Sequence, residues 1–327
     1  MTDNFMPFSI SRLPMHSPSV IALGNFDGVH LGHRAIISAA CEAKMSFDTA
    51  ARASGSVIAW TFNGRPHSGK AALLTTPEYR EALLREAGAD AVIAADFEAF
   101  RDLSPERFVR EVLIDIYNCR TAVCGFNYHF GRGGEGDAAL LAELMERYGR
   151  NTVIVPPVKV NLTDEKTDAD GLDTVNEVVV SSSLIRAALS DGQPRDAAVM
   201  LGRPYSVCLP VEHGRRMGRM MGFPTINQRF PEGMIEPKRG VYVCSCKVAG
   251  TTYRGVANIG VRPTVDNTGD GGVTLETHLF GFKGDLYGAC VEVGLLHFMR
   301  PEVTFNNMDE LRDAIARDAT AAAAFIL

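Results

Sequence analysis

An apolar run, Val20-Ile21-Ala22-Leu23, breaks into the glycine-punctuated segment Gly24-Asn25-Phe26-Asp27-Gly28-Val29-His30-Leu31-Gly32-His33, and a stretch rich in Ala and Ile follows over residues 31–44. The run reads as a buried strand and the stretch as a helix, so the segment sits on a strand-to-helix turn. Free amides and the dipole at a helix start favour an anion there. Two histidines three apart can donate to phosphate oxygens and offset the negative charge that grows as pyrophosphate departs. Histidines that only cap or pack a turn are the ordinary alternative for His-x-Gly-His by itself. The preceding Gly-Asn-Phe-Asp-Gly makes triphosphate chemistry the stronger reading.

The pattern of that first turn repeats. Val57-Ile58-Ala59-Trp60-Thr61-Phe62, Ala91-Val92-Ile93-Ala94, Thr121-Ala122-Val123-Cys124 and Thr152-Val153-Ile154-Val155 are further strand candidates. Between them lie amphipathic stretches over residues 76–87, 104–117 and 137–148, the first two with Pro77 and Pro105 at first-turn positions. Alternating strands and helices predict a parallel α/β sheet, whose ligands collect at the carboxyl ends of its strands.

After Ser190-Asp191-Gly192-Gln193-Pro194 the texture changes to short β-rich runs split by glycine turns, from Tyr205 to Val293. This spacing predicts a small antiparallel barrel, followed by one amphipathic helix over residues 308–325 opened by Asn307 or Asp309. The acidic stretch 161–177 has no apolar period and is expected to be an exposed, mobile loop; its carboxylates do not follow the EF-hand spacing.

A formal net charge of -6 argues against a nucleic-acid partner. No run reaches transmembrane length and residues 1–18 lack the apolar core of a signal peptide, so a cytoplasmic chain is expected. The seven cysteines form no Cys-x-x-Cys pair and are expected to be buried free thiols.

Two more clusters in the first half carry polar residues that a sheet core does not need. One is the glycine-rich aromatic loop Gly125-Phe126-Asn127-Tyr128-His129-Phe130-Gly131; the other is Ser181-Ser182-Ser183-Leu184-Ile185-Arg186. Serines at a helix start with an arginine in its first turns offer amides, hydroxyls and a guanidinium fork to phosphates. With the His-x-Gly-His turn, these motifs resemble the nucleotidyltransferase module of prokaryotic bifunctional riboflavin kinase/FMN adenylyltransferases. The resemblance implies a Rossmann-like domain, residues 1–186, that joins ATP and FMN into FAD and pyrophosphate. It implies that Gly24, Asn25, Phe26, Asp27, Gly28, His30 and His33 hold the ATP phosphates, helped by Asn63, Ser182, Ser183 and Arg186, while Asn127 faces FMN. Asn127 stands where that family often has an acidic residue, and Pro66-His67-Ser68 replaces a Pro-His-Pro.

In the second half, a basic glycine-rich loop from Gly214 ends in Phe223-Pro224-Thr225-Ile226-Asn227, which resembles the Pro-Thr-Ala-Asn motif of riboflavin kinases. That likeness implies a kinase domain over residues 187–327, with Gly218, Thr225 and Asn227 at ATP and Mg²⁺. A ribityl hydroxyl is a poor nucleophile and gains from a base. Strand alternation puts Glu276 and His278 on one face and Leu275 and Leu279 on the other. By resemblance Glu276 is the base, within Glu-x-His-Leu-Phe-x-Phe-x-Gly-Asp-Leu-Tyr-Gly, and Arg300 is a flavin contact. The substrates implied are riboflavin, FMN and ATP. A chain with only one active module, or a flavin or nucleotide sensor without turnover, is the rival expectation.

Overall fold

The computed structural model describes residues 17–51, 55–63, 71–167, 173–214, 218, 221–261 and 272–326. Pro66-His67-Ser68, the arginines Arg215, Arg216 and Arg219, and Arg262-Pro263-Thr264 lie outside the described residues. The chain divides into two compact units, one of Met1–Lys70 with Pro77–Lys159, the other of Ala71–Thr76 with Val160–Leu327. Among the described residues no helix is long and apolar enough to cross a membrane.

The first unit runs β1 (Ser19–Leu23), α1 (Leu31–Ala51), β2 (Ser56–Asn63), α2 (Pro77–Glu86), β3 (Ala91–Asp96), α3 (Phe97–Phe100), α4 (Pro105–Arg107), β4 (Cys119–Gly125), β5 (His129–Phe130), β6 (Gly136–Asp137), α5 (Ala138–Arg147) and β7 (Asn151–Val155). Five of these strands form a sheet in the order β3-β2-β1-β4-β7, and every pairing is parallel, as the alternation predicts. All five residues of β1 are buried, because its apolar side chains are covered on both faces. One face carries Ile21, Leu23, Trp60, Phe108, Leu113, Leu141 and Met145 in a single cluster. Trp60 meets Phe62, Phe100 and Phe108 edge-on at 4.8, 5.5 and 5.2 Å, an arrangement suited to ring quadrupoles.

The helix expected over residues 104–117 has the predicted start: Ser104 caps it, accepting from Arg107 N at 3.3 Å, and Pro105 opens it. Its continuation, Phe108–Ile116, winds more widely as a π-helix, with Tyr117 N donating to Val112 O at 3.2 Å. Buried Phe108, Val109, Val112 and Leu113 pay out that turn's side chains onto the sheet. The Asp137 cap of α5, accepting from Leu140 N at 2.8 Å, also falls where the sequence places it.

The second unit holds β8 (Lys159–Thr167, from Val160 on), β9 (Asp173–Val179), α6 (Ser182–Asp191), α7 (Pro194–Leu201), β10 (Tyr205–Pro210), β11 (Thr225–Arg229), β12 (Gly240–Val248), β13 (Thr251–Val261), β14 (Val273–Leu279), β15 (Cys290–Arg300) and α8 (Met308–Ala324). The acidic stretch is corrected here: β8 and β9 pair as a two-stranded ribbon where a loop was expected. Backbone pairing between strands rich in Thr and Val needs no apolar period, the signal used to exclude structure. Six strands form an antiparallel sheet in the order β10-β15-β12-β13-β14-β11.

That sheet curls as a half-barrel, and the segment just after β10 touches β11 at an isolated bridge between Glu212 and Asn227. Gln228, 1% exposed, donates from Nε2 to Leu209 O at 2.7 Å and to Val291 O at 2.8 Å, so one side chain of β11 ties down β10 and β15. Asn307 opens α8, accepting from Glu310 N at 2.9 Å, and the helix buries Ala322 against Val241, Val243, Val256 and Leu296. The cysteines are all free; Cys119, Cys124, Cys244 and Cys246 are buried as expected, but Cys290, at the start of β15 beyond the buried rows, is exposed.

Gln228→Met keeps the side-chain volume and removes both donors, stranding two buried carbonyls. It should destabilise the second unit by about 2 kcal/mol, read as a lowered urea midpoint for that unit's transition. An unchanged midpoint would show that the clasp carries no stability.

Candidate active sites

In the first unit, three adjacent parallel strands end at the same edge. The Gly24–His33 turn leaves β1, Asn63 ends β2, and Asn127 follows β4. Gly24 N donates to Trp60 O at 3.3 Å, locking the turn to β2 as it starts. The turn itself uses positive φ at Phe26 (51°), Gly28 (82°) and Val29 (43°), and a β-branched residue in that region is strained. Val29 is held there by burial at 2% exposure and by its N–H bond to Phe26 O at 3.1 Å.

His30 is 7% exposed and His33 is half-buried. Their rings stack with centroids 3.6 Å apart and an interplanar angle of 17°. Phe26 meets His33 edge-on at 5.3 Å. A Cβ on Gly32 would lie 3.1 Å from His30 Cε1, so the glycine between the histidines is what leaves room for the stack. Burial first, then His30 and Arg80, push the His33 pKa well below its ordinary 6.5.

Arg80 was not read from the sequence as a site residue. It lies on α2, is 4% exposed, and donates from Nη1 to Asn25 O at 3.3 Å and from Nη2 to Phe62 O at 2.9 Å. Thr61 Oγ1 donates to the same Asn25 carbonyl at 2.9 Å. A signal was present: Tyr79, Arg80, Leu83 and Leu84 are the buried residues of α2, so this arginine occupies the apolar stripe. Asn25, Asn63 and Asn127 are exposed, and Asp27 is buried. Gly125, whose Cβ would lie 3.3 Å from Asn127 Oδ1, seats that amide beside it. Tyr128 stacks on Phe130 at 5.8 Å and 8°, and Phe126 is 49% exposed.

Ser182, Ser183 and Arg186 belong to the second unit, at the start of α6. Ser181 is the cap, accepting from Leu184 N at 3.3 Å. Arg186 Nε donates to Ala72 O at 2.5 Å, within the same unit.

The other site in the second unit is a set of rows across three paired strands. Asn227 of β11, Glu276 of β14 and Asn258 of β13 share one row; Thr225, His278 and Val256 share the next. Thr277 and Leu275, at 0% exposure, and Leu279, at 6%, face the other way, while Glu276 is exposed. Asn227 Nδ2 approaches Thr225 Oγ1 at 3.5 Å, and His278 Nδ1 lies 2.8 Å from Pro224 O. A Cβ on Gly218 would lie 2.3 Å from Phe223 O, so only glycine permits Phe223 N to bond back to Gly218 O at 2.8 Å. The hydroxyl, amide and carboxylate of Thr225, Asn227 and Glu276 are hard oxygen donors of the kind Mg²⁺ takes alongside phosphates and water. Among the described residues, no group of three or more His, Cys, Asp or Glu is placed to hold a metal ion.

Arg300 is bound into the frame. It donates from Nε to Asp318 Oδ1 at 3.0 Å, from Nη2 to Asp318 Oδ2 at 2.6 Å, and from Nη1 to Pro301 O at 3.1 Å, joining β15 to α8. Asn258 Nδ2 donates to Glu302 Oε1 at 3.4 Å, another contact the sequence did not signal.

The depressed pKa of His33 has a consequence for stability. Below 6.5 the unfolded chain binds a proton at His33 that the folded chain does not, so its contribution is full above 6.5 and is lost as pH falls toward the lowered folded value. His33→Gln should therefore flatten part of the decline in Tm on acidification below 6.5, measured by calorimetry at several pH values. A decline as steep as in the wild type would contradict a neutral His33.

Comparison with known proteins bears on both halves of the chain. A family model described as FAD synthetase matches residues 13–167, and one described as riboflavin kinase matches residues 201–326. The bifunctional riboflavin kinase/FMN adenylyltransferase of Bacillus subtilis is 33% identical over 309 residues, covering 92% of this chain and 90% of that one. The protein of the same name from Escherichia coli K12 is 32% identical over 324 residues, covering 97% and 95%. A solved Streptococcus pneumoniae structure, described as a macrolide-efflux protein, superposes with a TM-score of 0.76 at 28% identity and covers 96% of each chain. The chain belongs to the bifunctional riboflavin kinase/FMN adenylyltransferases, which phosphorylate riboflavin to FMN and join FMN to the adenylyl group of ATP as FAD.

Proposed function

We propose that adenylyl transfer is carried by the His30/His33 turn and phosphorylation by the Glu276 row, with the activities assigned to residues 1–186 and 187–327. The observation that carries the kinase assignment is the register that sets Glu276 directly opposite Asn227, with Thr225 one row away. Directly paired residues on one face have Cβ atoms about 5 Å apart, close enough for a base to work beside the groups that hold ATP.

The two nucleophiles explain why the sites differ. A ribityl hydroxyl must lose a proton, and Glu276 accepts it as the γ-phosphoryl group transfers. The FMN phosphate, with a second pKa of about 6, is already largely dianionic, so the other site needs no base. There, Gly24 to Gly28 offer backbone donors, His30 and His33 offer ring N–H groups and Asn63 offers its amide to the phosphates; Ser182, Ser183 and Arg186, at the start of α6, are assigned to ATP on the family resemblance. Asn127 and the Phe126 and Tyr128 rings face FMN. Alignment and stabilisation of departing pyrophosphate then do the work.

Thr225 and Asn227 hold Mg²⁺ in this reading, supported by their oxygen donors, and Gly218 lets the phosphate-covering loop close on its own backbone. The bound ion supplies charge neutralisation on the phosphates. Arg300 is assigned to the flavin end of the kinase site, oriented by Asp318. A cytoplasmic enzyme with small-molecule substrates and no nucleic-acid partner fits the acidic net charge of -6.

Riboflavin with magnesium and ATP, followed by chromatography, should yield FMN and then FAD. Glu276→Gln should reduce FMN formation by at least about a hundredfold while leaving FMN-to-FAD conversion near wild type. His30→Ala should do the reverse. Loss of both steps in either variant would reject the separate assignment, and binding without either product would favour a sensor.

A further inference from the structure

Two imidazoles stacked 3.6 Å apart repel strongly if both are cations. The backbone N–H of His33 donates to His30 Nδ1 at 3.3 Å. That nitrogen is therefore without a proton, and His30 is the Nε2–H tautomer. His33 Nδ1 is occluded from solvent and makes no hydrogen bond, so an imidazolium would place an N–H there with no acceptor. The geometry of the turn thus disfavours a positive charge on either ring.

Arg80 completes that arrangement from α2. Its two donors grip Asn25 O, at the start of the turn, and Phe62 O, next to Asn63, joining the ends of β1 and β2. Among the described residues, His30 and Arg80 act on His33, and Asp27 and Glu78 act on Arg80. Phe26 supplies an apolar edge. An arginine stays protonated, so a permanent cation sits behind two rings that already resist protonation.

We propose that Arg80 is a positioning residue of the adenylyl-transfer site: its buried guanidinium pins the Asn25 and Phe62 carbonyls and keeps the stacked His30 and His33 as neutral N–H donors. The pair then meets the triphosphate with fixed dipoles and takes up no proton as the pyrophosphate leaves. Adenylyl transfer is independent of the ordinary histidine titration for that reason. The inference rests on the turn being the adenylyl-transfer site.

The test uses the full chain labelled with ¹³C-histidine, with His30→Gln and His33→Gln to assign the signals. Histidine titrations and FMN-to-FAD rates are followed from about pH 5.5 to 9 in the wild type, Arg80→Lys and Arg80→Met. The riboflavin-to-FMN step of the same chain reports folding. In the wild type, His33 should titrate well below 6.5 and the FAD rate should show no acid limb near that value. Arg80→Met should lower the adenylyl-transfer kcat at least about tenfold and move both the acid limb and the His33 midpoint toward 6.5. Arg80→Lys, which keeps the charge but not the two-pronged grip, should lose rate with the limb in place.

A wild-type His33 that titrates at its ordinary value overturns the proposal. So does an Arg80→Met enzyme that loses rate with an unmoved limb, since that is a purely structural effect. If Arg80→Met loses the kinase step as well, the wild-type titration and Arg80→Lys decide. Low His33 titration with no FAD at any pH would instead reject the adenylyl-transfer reading and leave the neutral pair standing.

Discussion

Burial of β1 on both faces is the constraint on which the first unit depends. With Leu23 paired to Trp60 on one side and to Cys124 on the other, three parallel strands run out toward one edge of the sheet. Parallel strands of this kind open their carboxyl ends to ligands, because the crossover helices cover the faces and leave that edge to loops. The Gly24–His33 turn, Asn63 and Asn127 fall on that edge because the sheet puts them there. Strain at Val29 and the buried Arg80 are sustained by the same rigidity; neither would persist on a loose loop.

The second unit reaches its site by a different route. An antiparallel register makes opposite residues share a face, so Glu276, Asn227 and Asn258 are brought into a row by backbone pairing alone. Their neighbours Thr277, Leu275 and Gln228 are buried on the reverse side. A slip of one residue would send Glu276 inward and Thr277 outward, so core packing and placement of the Glu276 carboxylate are a single specification. Gln228, Asp318 and Glu302 hold the curled sheet and α8 in the shape that keeps those rows together.

The chemistry divides along the same line. One nucleophile must lose a proton and the other has already lost its protons, and the assignment proposed above follows that difference: a carboxylate on a strand in the second unit, ring donors on a turn in the first. In the proposed reading, the stacked histidines and the arginine behind them act as a preorganised set of dipoles, whose value is greatest where water is excluded.

Much of this was legible in the chain. Strand runs, the proline and serine starts of α4 and α6, the Asp137 and Asn307 caps, and the outward face of Glu276 follow from local periodicity and capping chemistry, which depend on near neighbours in sequence. The two families of motif also pointed to both reactions. What lay outside local reasoning were pairings across distance. Asn25 with Arg80 and Thr61, Gln228 with Leu209 and Val291, Arg300 with Asp318, and the ribbon of β8 and β9 are contacts between segments whose separate sequences carry no mark of the partner. The amino-acid order by itself determined which residues are donors, bases and strand formers. Only the tertiary structure decided which carbonyls Arg80 grips and in which direction the His33 pKa is pushed, because burial and the field of distant neighbours exist only once the chain has folded.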